Sequence, residues 1–376
     1  MIVFNDPYVS GAEEANIREV FGSKYFCGNG DFTRRCEATL QELHGAAAVL
    51  LTSSCSAALE ICAQLLQLEP GDEVILPSFT HVGTATAFAR LGATLVWADI
   101  TPGTKNLDPD HLASLFTSRT RAVVAVHYCG VASGLERITE LCARHGAVLI
   151  EDNAAGLGAA YRGRPLGTFG DVSTLSFHQT KNIHCGEGGA LVLNNPRLVE
   201  AAATMRDRGT DRKAFEQHKV KAYTWQAPGS NYYMSELQAA FLAAQLAALL
   251  QVTQTRRALF ARYHAGLQGA LPAADLPLLP AESEHNGHAF YILCASQEQR
   301  RRLIAALHEA DVQSAFHYQP LHAAPYWNGA YDHLRLPVTT SAAQRLLRLP
   351  MHMSLTMEQV DRICERVVAF FGEDGR

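Results

Sequence analysis

The sequence predicts an α/β protein: a large domain with a mostly parallel central sheet between helices, followed by a smaller C-terminal α+β domain. Three observations carry this. Short apolar runs alternate with helix-spaced segments from Val49 to about Ile150, a long stretch nearly free of Gly and Pro starts at Ser235, and the composition changes after a Pro-rich loop near Leu271–Pro280. The 376 residues amount to two to three domains of roughly 150 residues each. Expected boundaries are 1–250 for an N-terminal arm with the large domain and 251–376 for the smaller one.

Taken in order, VLLTSS, DEVILPS, ATLVWADI, RAVVAVHY and AVLIEDN read as buried strands. SAALEICAQLL, HVGTATAFARLG and ERITELCARHG, lying between them, place apolar residues at helical spacing. Such alternation implies right-handed crossovers and a parallel sheet covered on both faces. Ligands of such sheets bind beyond the carboxyl ends of the strands, which points to Thr52–Ser56, Pro77–His81, His127–Gly130 and Glu151–Asn153. From Ser235 to Leu267 the pattern is one long helix or two joined ones. Strand HAFYILCA, helix RRRLIAALHEA, segment QSAFHYQP and helix MEQVDRICERVVAFF then make up the smaller domain.

Hydrophobic residues at 48% against 18% charged support a large core and exclude a disordered chain. A net charge of −5 argues against a protein that grips nucleic acid through its phosphates, so any phosphate must be held locally. Asp6, Glu13 and Glu14 stand where a secretory signal would carry basic residues. The apolar run AAFLAAQLAALL is too short to cross a bilayer. A soluble cytoplasmic protein without membrane or nucleic-acid partners is expected. The nine cysteines include no CxxC pair and read as reduced, buried thiols. The sixteen histidines include no HExxH, and no metal site is expected.

Three segments carry chemistry. In SFHQTKNIHCGEGGALV, Lys181 stands between an apolar strand and a Gly-rich turn. A partly buried ammonium there is shifted towards the amine, as Schiff-base chemistry requires, although a surface turn lysine gives the same pattern. In IEDNAAG, Asp152 ends an apolar strand, and a buried carboxylate needs a cationic partner. The protonated ring nitrogen of a pyridoxal cofactor would be one; a helix-capping acid is the plainer alternative. In LTSSCSAALE a strand runs into hydroxyl residues and a helix start, where backbone N–H groups with Ser54 and Ser56 would hold a phosphate, unless the serine is only an N-cap. No GxxxxGK[ST] occurs, and GLGAAY lacks the third glycine of a dinucleotide fingerprint. Phosphate turn, strand-end Asp and strand-flanked Lys together match a pyridoxal 5′-phosphate enzyme.

With GEGGAL after SFHQTKN, PGDEVILPSFTHVGTA, EDNAAGLGA, GSNYYMSELQAA and FHYQPLH, the chain resembles the DegT/DnrJ/EryC1 sugar-nucleotide aminotransferases of aspartate-aminotransferase fold type I. GNGDFTRRCE, KNIHCGEGG and RDRGTDR resemble the branch that makes dTDP-4-amino-4,6-dideoxygalactose. The resemblance implies that Lys181 is the Schiff-base lysine and Asp152 the partner of the pyridine nitrogen. It gives Cys55, Ser56 and Ser176 to the cofactor phosphate and has Asn231 reach that phosphate from a neighbouring subunit, so a homodimer with shared sites is expected. His81 takes the ring-stacking position, where the family commonly has Phe, Tyr or Trp. Ala155 replaces a Gln or His near the cofactor's phenolic oxygen, and His184 replaces a frequent Thr. His178, His317 and Tyr318 are candidate contacts of the sugar nucleotide. Arg206, Arg208 and Arg212 form either a diphosphate-binding cluster or a solvated face. The implied substrates are L-glutamate and dTDP-4-oxo-6-deoxy-D-glucose. Alternatives are amination at C3 or of a UDP- or GDP-linked oxo sugar, and a degenerate regulatory protein that binds the cofactor.

Overall fold

The computed structural model describes residues 1–132 and 134–374. Helices α1 (Glu13–Ser23) and α2 (Asp31–His44) precede the central sheet. Its strands are β1 (Ala48–Thr52), β2 (Glu73–Pro77), β3 (Thr94–Ala98), β4 (Thr120–Val126) and β5 (Val148–Asp152) and, after a ribbon of β6 (Ala160–Tyr161) and β7 (Arg164–Pro165), β8 (Val172–Ser176) and β9 (Gly189–Leu193). The order is β1-β9-β8-β5-β4-β2-β3, and every pairing is parallel except those of β9. The five strands read between Val49 and Asn153 and the two around the lysine segment thus form one mostly parallel sheet.

Strand periodicity of two sorts the side chains between two helical layers. Leu50, Val74, Ile150 and Leu191 pack with α3 (Cys55–Leu65), α4 (Val82–Ala89) and, further along the chain, Ala202 and Met205. Ile75, Val123 and Leu149 meet α5 (Pro109–Leu115) and α6 (Leu135–His145) on the opposite face. Val49, Leu51, Leu175 and Val192 join them there, against α2. The chain continues through α7 (Val199–Arg206) and α8 (Arg212–Glu216) to α9 (Glu236–Ala247), started by the Ser235/Gln238 capping box, and α10 (Leu249–Leu267). The long apolar stretch is thus two helices, which bend by 61° at Ala248. Among the described residues no single helix is long and apolar enough to cross a membrane.

Beyond α10, β10 (Ser283–Glu284) adds to β6, and β11 (Phe290–Leu293), β12 (Ala315–Phe316) and β13 (Leu346–Leu349) form an antiparallel sheet in the order β11-β13-β12. Helices α11 (Gln297–Glu309), α12 (Pro337–Arg345) and α13 (Met357–Asp374) accompany it. Phe260 and Tyr263 of α10, Ile292, Leu349, Ile363 and Val367 share a separate core, which also takes Ile2 from the start of the chain. All nine cysteines are free; Cys27 is exposed and Cys55 half-buried, and the other seven are buried.

One buried cluster anchors the ligand edge of the sheet. Glu151 accepts hydrogen bonds from His127 Nε2 (2.8 Å) and from the backbone N–H groups of Gly167 (2.9 Å), Phe169 (2.6 Å) and Gly170 (2.7 Å). Burial pushes its carboxyl up, but His127 and the N–H groups outweigh this and hold it below the usual glutamate range. A folded-state value below the unfolded one stabilises the protein above the unfolded value, roughly pH 4.3, and that stabilisation is lost as pH falls through the folded one. Glu151→Gln turns an amide N–H₂ towards these donors and should cost about 3 kcal/mol at pH 7. Thermal melts of both proteins from pH 7 to pH 3 should show the wild-type advantage shrinking below about pH 4; a constant gap would remove the carboxylate's role.

Candidate active site

The carboxyl ends of β1, β2, β4, β5 and β8 open into a cavity of about 560 Å³. Ten of the eleven site residues expected from the sequence line it: Cys55, Ser56, His81, Asp152, Ala155, Ser176, His178, Lys181, His317 and Tyr318. Asn231 does not. It is exposed and bridged to Asp207, outside its own chain's cavity.

Strand order explains the convergence. Turns after β1 and β8 come together because β9 returns between these strands, and β5 adjoins β8. Register puts Asp152 opposite Thr174, on the face covered by α3 and α4, where Cys55 Sγ lies 3.5 Å from Thr174 Oγ1. Asp152 Oδ2 accepts from Thr84 Oγ1 (2.7 Å), and Oδ1 accepts from the Ala154 N–H (3.2 Å). Both bonds favour a fixed carboxylate.

Lys181 sits in the turn between β8 and β9, its N–H bonded to the His178 carbonyl. Asn182 beside it donates to the Asn286 carbonyl (3.0 Å) and meets His288 Nδ1 at 3.0 Å, which ties the lysine turn to the C-terminal part of the chain. The Lys181 ammonium makes no hydrogen bond to any described residue. Burial lowers its pKa, and the Arg348 charge adds to this against the opposing pull of Asp152. A partner-free amine facing a cavity is suited to proton transfer.

Ser54 is the N-cap of α3, accepting from the Ala57 N–H at 3.0 Å. The cap occupies one lone pair of that oxygen and leaves the hydroxyl hydrogen to donate, so the N-cap and a phosphate contact are compatible. The cap leaves the N–H groups of Cys55 and Ser56 at the helix start, with the exposed Ser56 hydroxyl beside them. This is an anion cradle. A Cβ on Gly189 would lie 2.3 Å from the Ser54 carbonyl carbon and 2.4 Å from the Cys55 nitrogen, so only glycine lets β9 pass behind the turn. Burial pushes the Cys55 thiol up to about 12, which leaves its backbone as the polar contact.

His81 caps α4, its Nδ1 accepting from the Gly83 N–H at 3.1 Å. Burial and then the Lys181 charge lower its pKa. Both favour the neutral ring, as does the Nδ1 contact with the Gly83 N–H. Ala155 offers no side-chain polar group; its carbonyl accepts from Asn286 Nδ2 (2.7 Å), which fixes the loop after β5. His178 Nδ1 contacts Thr180 Oγ1 at 2.8 Å, and Ser176 Oγ faces the His178 N–H at 3.4 Å. His317 stacks on Tyr318 at 4.0 Å. Burial, then the Arg348 and Lys181 charges, push its pKa down to about 2.

Of the two readings of the arginine cluster, the solvated face fits Arg208 and Arg212, and Arg206 fits neither. Arg206 is buried and paired with Glu37, its guanidinium 4.7 Å from the Tyr233 ring centre, while Arg208 and Arg212 pair with Asp207 and Glu216. None of the three lines the cavity. His184 is also away from it, donating to the Tyr8 carbonyl (2.7 Å) and so holding the N-terminal arm. Sequence reasoning missed Arg348, Thr84, Asn286 and the N-terminal Phe4 and Asn5, of which all but Asn286 line the cavity. A lone arginine in the apolar run LLRLP was the available signal for Arg348.

Fold and site define a pyridoxal-phosphate-dependent enzyme of fold type I. The residues present suit the cofactor: a partner-free amine, a fixed carboxylate at a strand end and an anion cradle at a helix start. The chain belongs to the DegT/DnrJ/EryC1/StrS aminotransferase family, whose family model matches residues 7–368. It is 33% identical over 345 residues to a "pleiotropic regulatory protein" of Geobacillus stearothermophilus, covering 91% of this chain and 90% of that one. The crystal structure of the aminotransferase TlmJ from Streptoalloteichus hindustanus superposes with TM-score 0.90 at 33% identity over 99% of both chains. Helicobacter pylori PseC, an aminotransferase involved in the biosynthesis of pseudoaminic acid, superposes with TM-score 0.90 at 25% identity over 98% of this chain and 99% of that one.

Gly189→Ala should force the turn and β9 apart at a cost of about 1–3 kcal/mol. Pyridoxal phosphate should bind at least about tenfold more weakly, and the thermal stabilisation it confers should shrink correspondingly. Absorbance titration with parallel melts of apo- and holoprotein checks this; unchanged affinity would move the phosphate away from the turn.

Proposed function

We propose that this protein transfers the amino group of L-glutamate to the 4-oxo group of dTDP-4-oxo-6-deoxy-D-glucose, giving dTDP-4-amino-4,6-dideoxy-D-galactose and 2-oxoglutarate, in the cytoplasm and in the making of surface-polysaccharide precursors. The observation that carries the transaminase reading is the half-buried amine of Lys181, without a hydrogen-bond partner among the described residues, in one cavity with Asp152 and the start of α3. The sugar rests on the resemblance of GNGDFTRRCE and RDRGTDR and on the sugar aminotransferases among the similar structures.

Pyridoxal phosphate, when bound, supplies a carbonyl that accepts an amino group and a ring that withdraws electrons from the reacting carbon. Lys181 would hold the cofactor and carry the proton at Nζ, as base in one half-reaction and acid in the other; its lowered pKa favours both. Asp152, oriented by Thr84, would keep the ring nitrogen protonated. Cys55 and Ser56 N–H, the Ser56 hydroxyl and Ser176 would hold the phosphate, with His81 on the ring face beside the small Ala155. His178, His317 and Tyr318 line the remaining wall, where the sugar would lie. Asn231, exposed in the single chain, would complete the cofactor site of a second copy in a homodimer with shared sites.

The name of the Geobacillus relative favours a second reading, a cofactor-binding regulatory protein without turnover. The presence of both Lys181 and Asp152 at the cavity supports the enzyme instead. The loaded protein should be yellow, L-glutamate should bleach it, and dTDP-4-oxo-6-deoxyglucose should restore the colour. Lys181→Ala should slow the bleaching on the order of 1,000-fold. A wild type that glutamate leaves yellow ends the transaminase reading, and bleaching without recovery ends only the choice of sugar.

A further inference from the structure

His288 stands just before β11, is 8% exposed and lines the cavity that holds Lys181. Both polar groups of its backbone are fixed: the N–H donates to Asn286 Oδ1 (3.1 Å), and the carbonyl accepts from the buried Arg256 (2.7 Å). The ring is fixed as well, with Nδ1 3.0 Å from Asn182 Oδ1. Asn182 gives its Nδ2 to the Asn286 carbonyl (3.0 Å), so the atom it turns to His288 is the amide oxygen, which can only accept. His288 Nδ1 therefore carries the ring proton, and Nε2 is a bare acceptor. Burial, and then the charges of Lys181, Arg348 and Arg256, keep the ring neutral by holding its pKa well below the usual histidine range. Nε2 makes no hydrogen bond to any described residue.

The other two neutral histidines of the cavity present something else. His81 Nδ1 accepts from the Gly83 N–H (3.1 Å), which leaves the ring proton on Nε2 as a donor. His317 Nε2 accepts from Arg348 (2.7 Å) while its Nδ1 lies 3.3 Å from the Tyr128 hydroxyl, so both nitrogens are engaged. His288 alone of the three turns a free lone pair to the cavity, and a buried acceptor left unpaired is costly until a ligand supplies an N–H or O–H. An α-amino acid has no N–H besides those of the amino group it gives up. An oxo sugar brings hydroxyls. Of the two carbons beside C4 in a 4-oxo-6-deoxyhexose, C5 carries the ring oxygen and the methyl group, neither of them a donor, and C3 carries a hydroxyl. An acceptor in the same cavity as the amine that acts at C4 suits the C3 hydroxyl.

We propose that His288 Nε2 accepts the hydrogen of the sugar's C3 hydroxyl and so selects 3-hydroxy-4-oxo sugars over 3-deoxy ones, with Asn182 as the positioning residue that fixes the required tautomer. The proposal deepens the sugar assignment above and rests on it.

The test compares wild type, His288→Phe and His288→Gln, whose amide keeps one N–H for Asn182 and one oxygen as acceptor. Each is loaded with cofactor and bleached with L-glutamate, and colour recovery is timed with dTDP-4-oxo-6-deoxyglucose and with its 3-deoxy counterpart. Wild type should favour the 3-hydroxy sugar about 30-fold in kcat/KM. His288→Phe should narrow this to less than about threefold by slowing recovery with the 3-hydroxy sugar, and His288→Gln should keep at least about tenfold. Calorimetry with dTDP-6-deoxyglucose, whose C4 hydroxyl cannot be aminated, should show binding at least about tenfold weaker in His288→Phe. In nitrogen NMR spectra of protein labelled in its histidine rings, the signals lost in His288→Gln belong to this residue; its Nε2 should be unprotonated and should shift when dTDP-6-deoxyglucose binds. A wild type indifferent to the C3 hydroxyl, equal losses with both sugars in His288→Phe, or a protonated Nε2 would overturn the proposal and leave the sugar assignment standing. A wild type that glutamate bleaches and neither sugar recovers would overturn the sugar assignment, and the proposal with it.

Discussion

The structure of the site depends on what the last two residues of β5 do on opposite faces of the sheet. Glu151, on one face, collects His127 from the end of β4 and three backbone N–H groups from the loop before β8. Asp152, on the other, is left for the cavity with Thr84 as its orienting donor. A carboxylate with four donors can be buried without a net desolvation penalty, and those donors belong to the segments that border the strand. Clamping Glu151 therefore fixes the end of β5, and periodicity fixes Asp152. The stabilising and the functional carboxylate are adjacent in sequence because a strand is the one element that sends neighbours in opposite directions.

The second constraint is electrostatic. Three histidines line the cavity with lowered pKa values, His81, His288 and His317, and for each of them burial is the largest cause and the Lys181 charge contributes. Neutral rings act as acceptors: His81 for the Gly83 N–H and His317 for Arg348. The cavity's formal charges reduce to Lys181 and Arg348 against Asp152 and the more exposed Glu187. Two cations and the N-terminus of α3 are concentrated where anions are to be held, in a chain whose overall charge is −5. Local placement, and not a basic surface, supplies the attraction.

Much of this was legible in the sequence where the signal is local. Each strand of the parallel sheet is an apolar run ended by polar residues, and Lys181, Asp152 and the Cys55–Ser56 turn follow from position at strand ends. Ser54 could be read two ways, because a cap and a phosphate ligand use the same hydroxyl at the same helix position; the Ala57 contact shows the cap, which accepts through the oxygen and leaves the hydrogen to donate. Arg206 and its neighbours look alike in MRDRGTDRK, yet Glu37, far away in the chain, buries the first and leaves the others outside. Asn286 and Asn182 show no local pattern at all, since their partners lie 131 and 104 residues away in the chain. The same holds for Asn231, whose reading needs a second copy.

The wall facing the sheet edge has a different origin from the edge itself. Phe4 and Asn5 from the start of the chain meet His317, Tyr318 and Arg348 from its last quarter. The arm is held there by the Ile2–Val312 bridge, by Phe4 N–H donating to Gln313 and by His352 donating to the Val3 carbonyl. It is held again at Tyr8, whose carbonyl takes hydrogen bonds from His184 and Gln245. The groups suited to proton transfer and cofactor binding thus ride on contiguous strands and turns of one rigid sheet, whereas the groups facing them hang on a short antiparallel sheet and a tethered arm. A site that must admit an amino donor and then a sugar substrate needs invariant chemistry on one side and an adaptable wall on the other. Changes in β13 or the arm can alter which ligand fits without moving Lys181 or Asp152, because neither of these takes its position from that wall except through the Asn182–Asn286 contact.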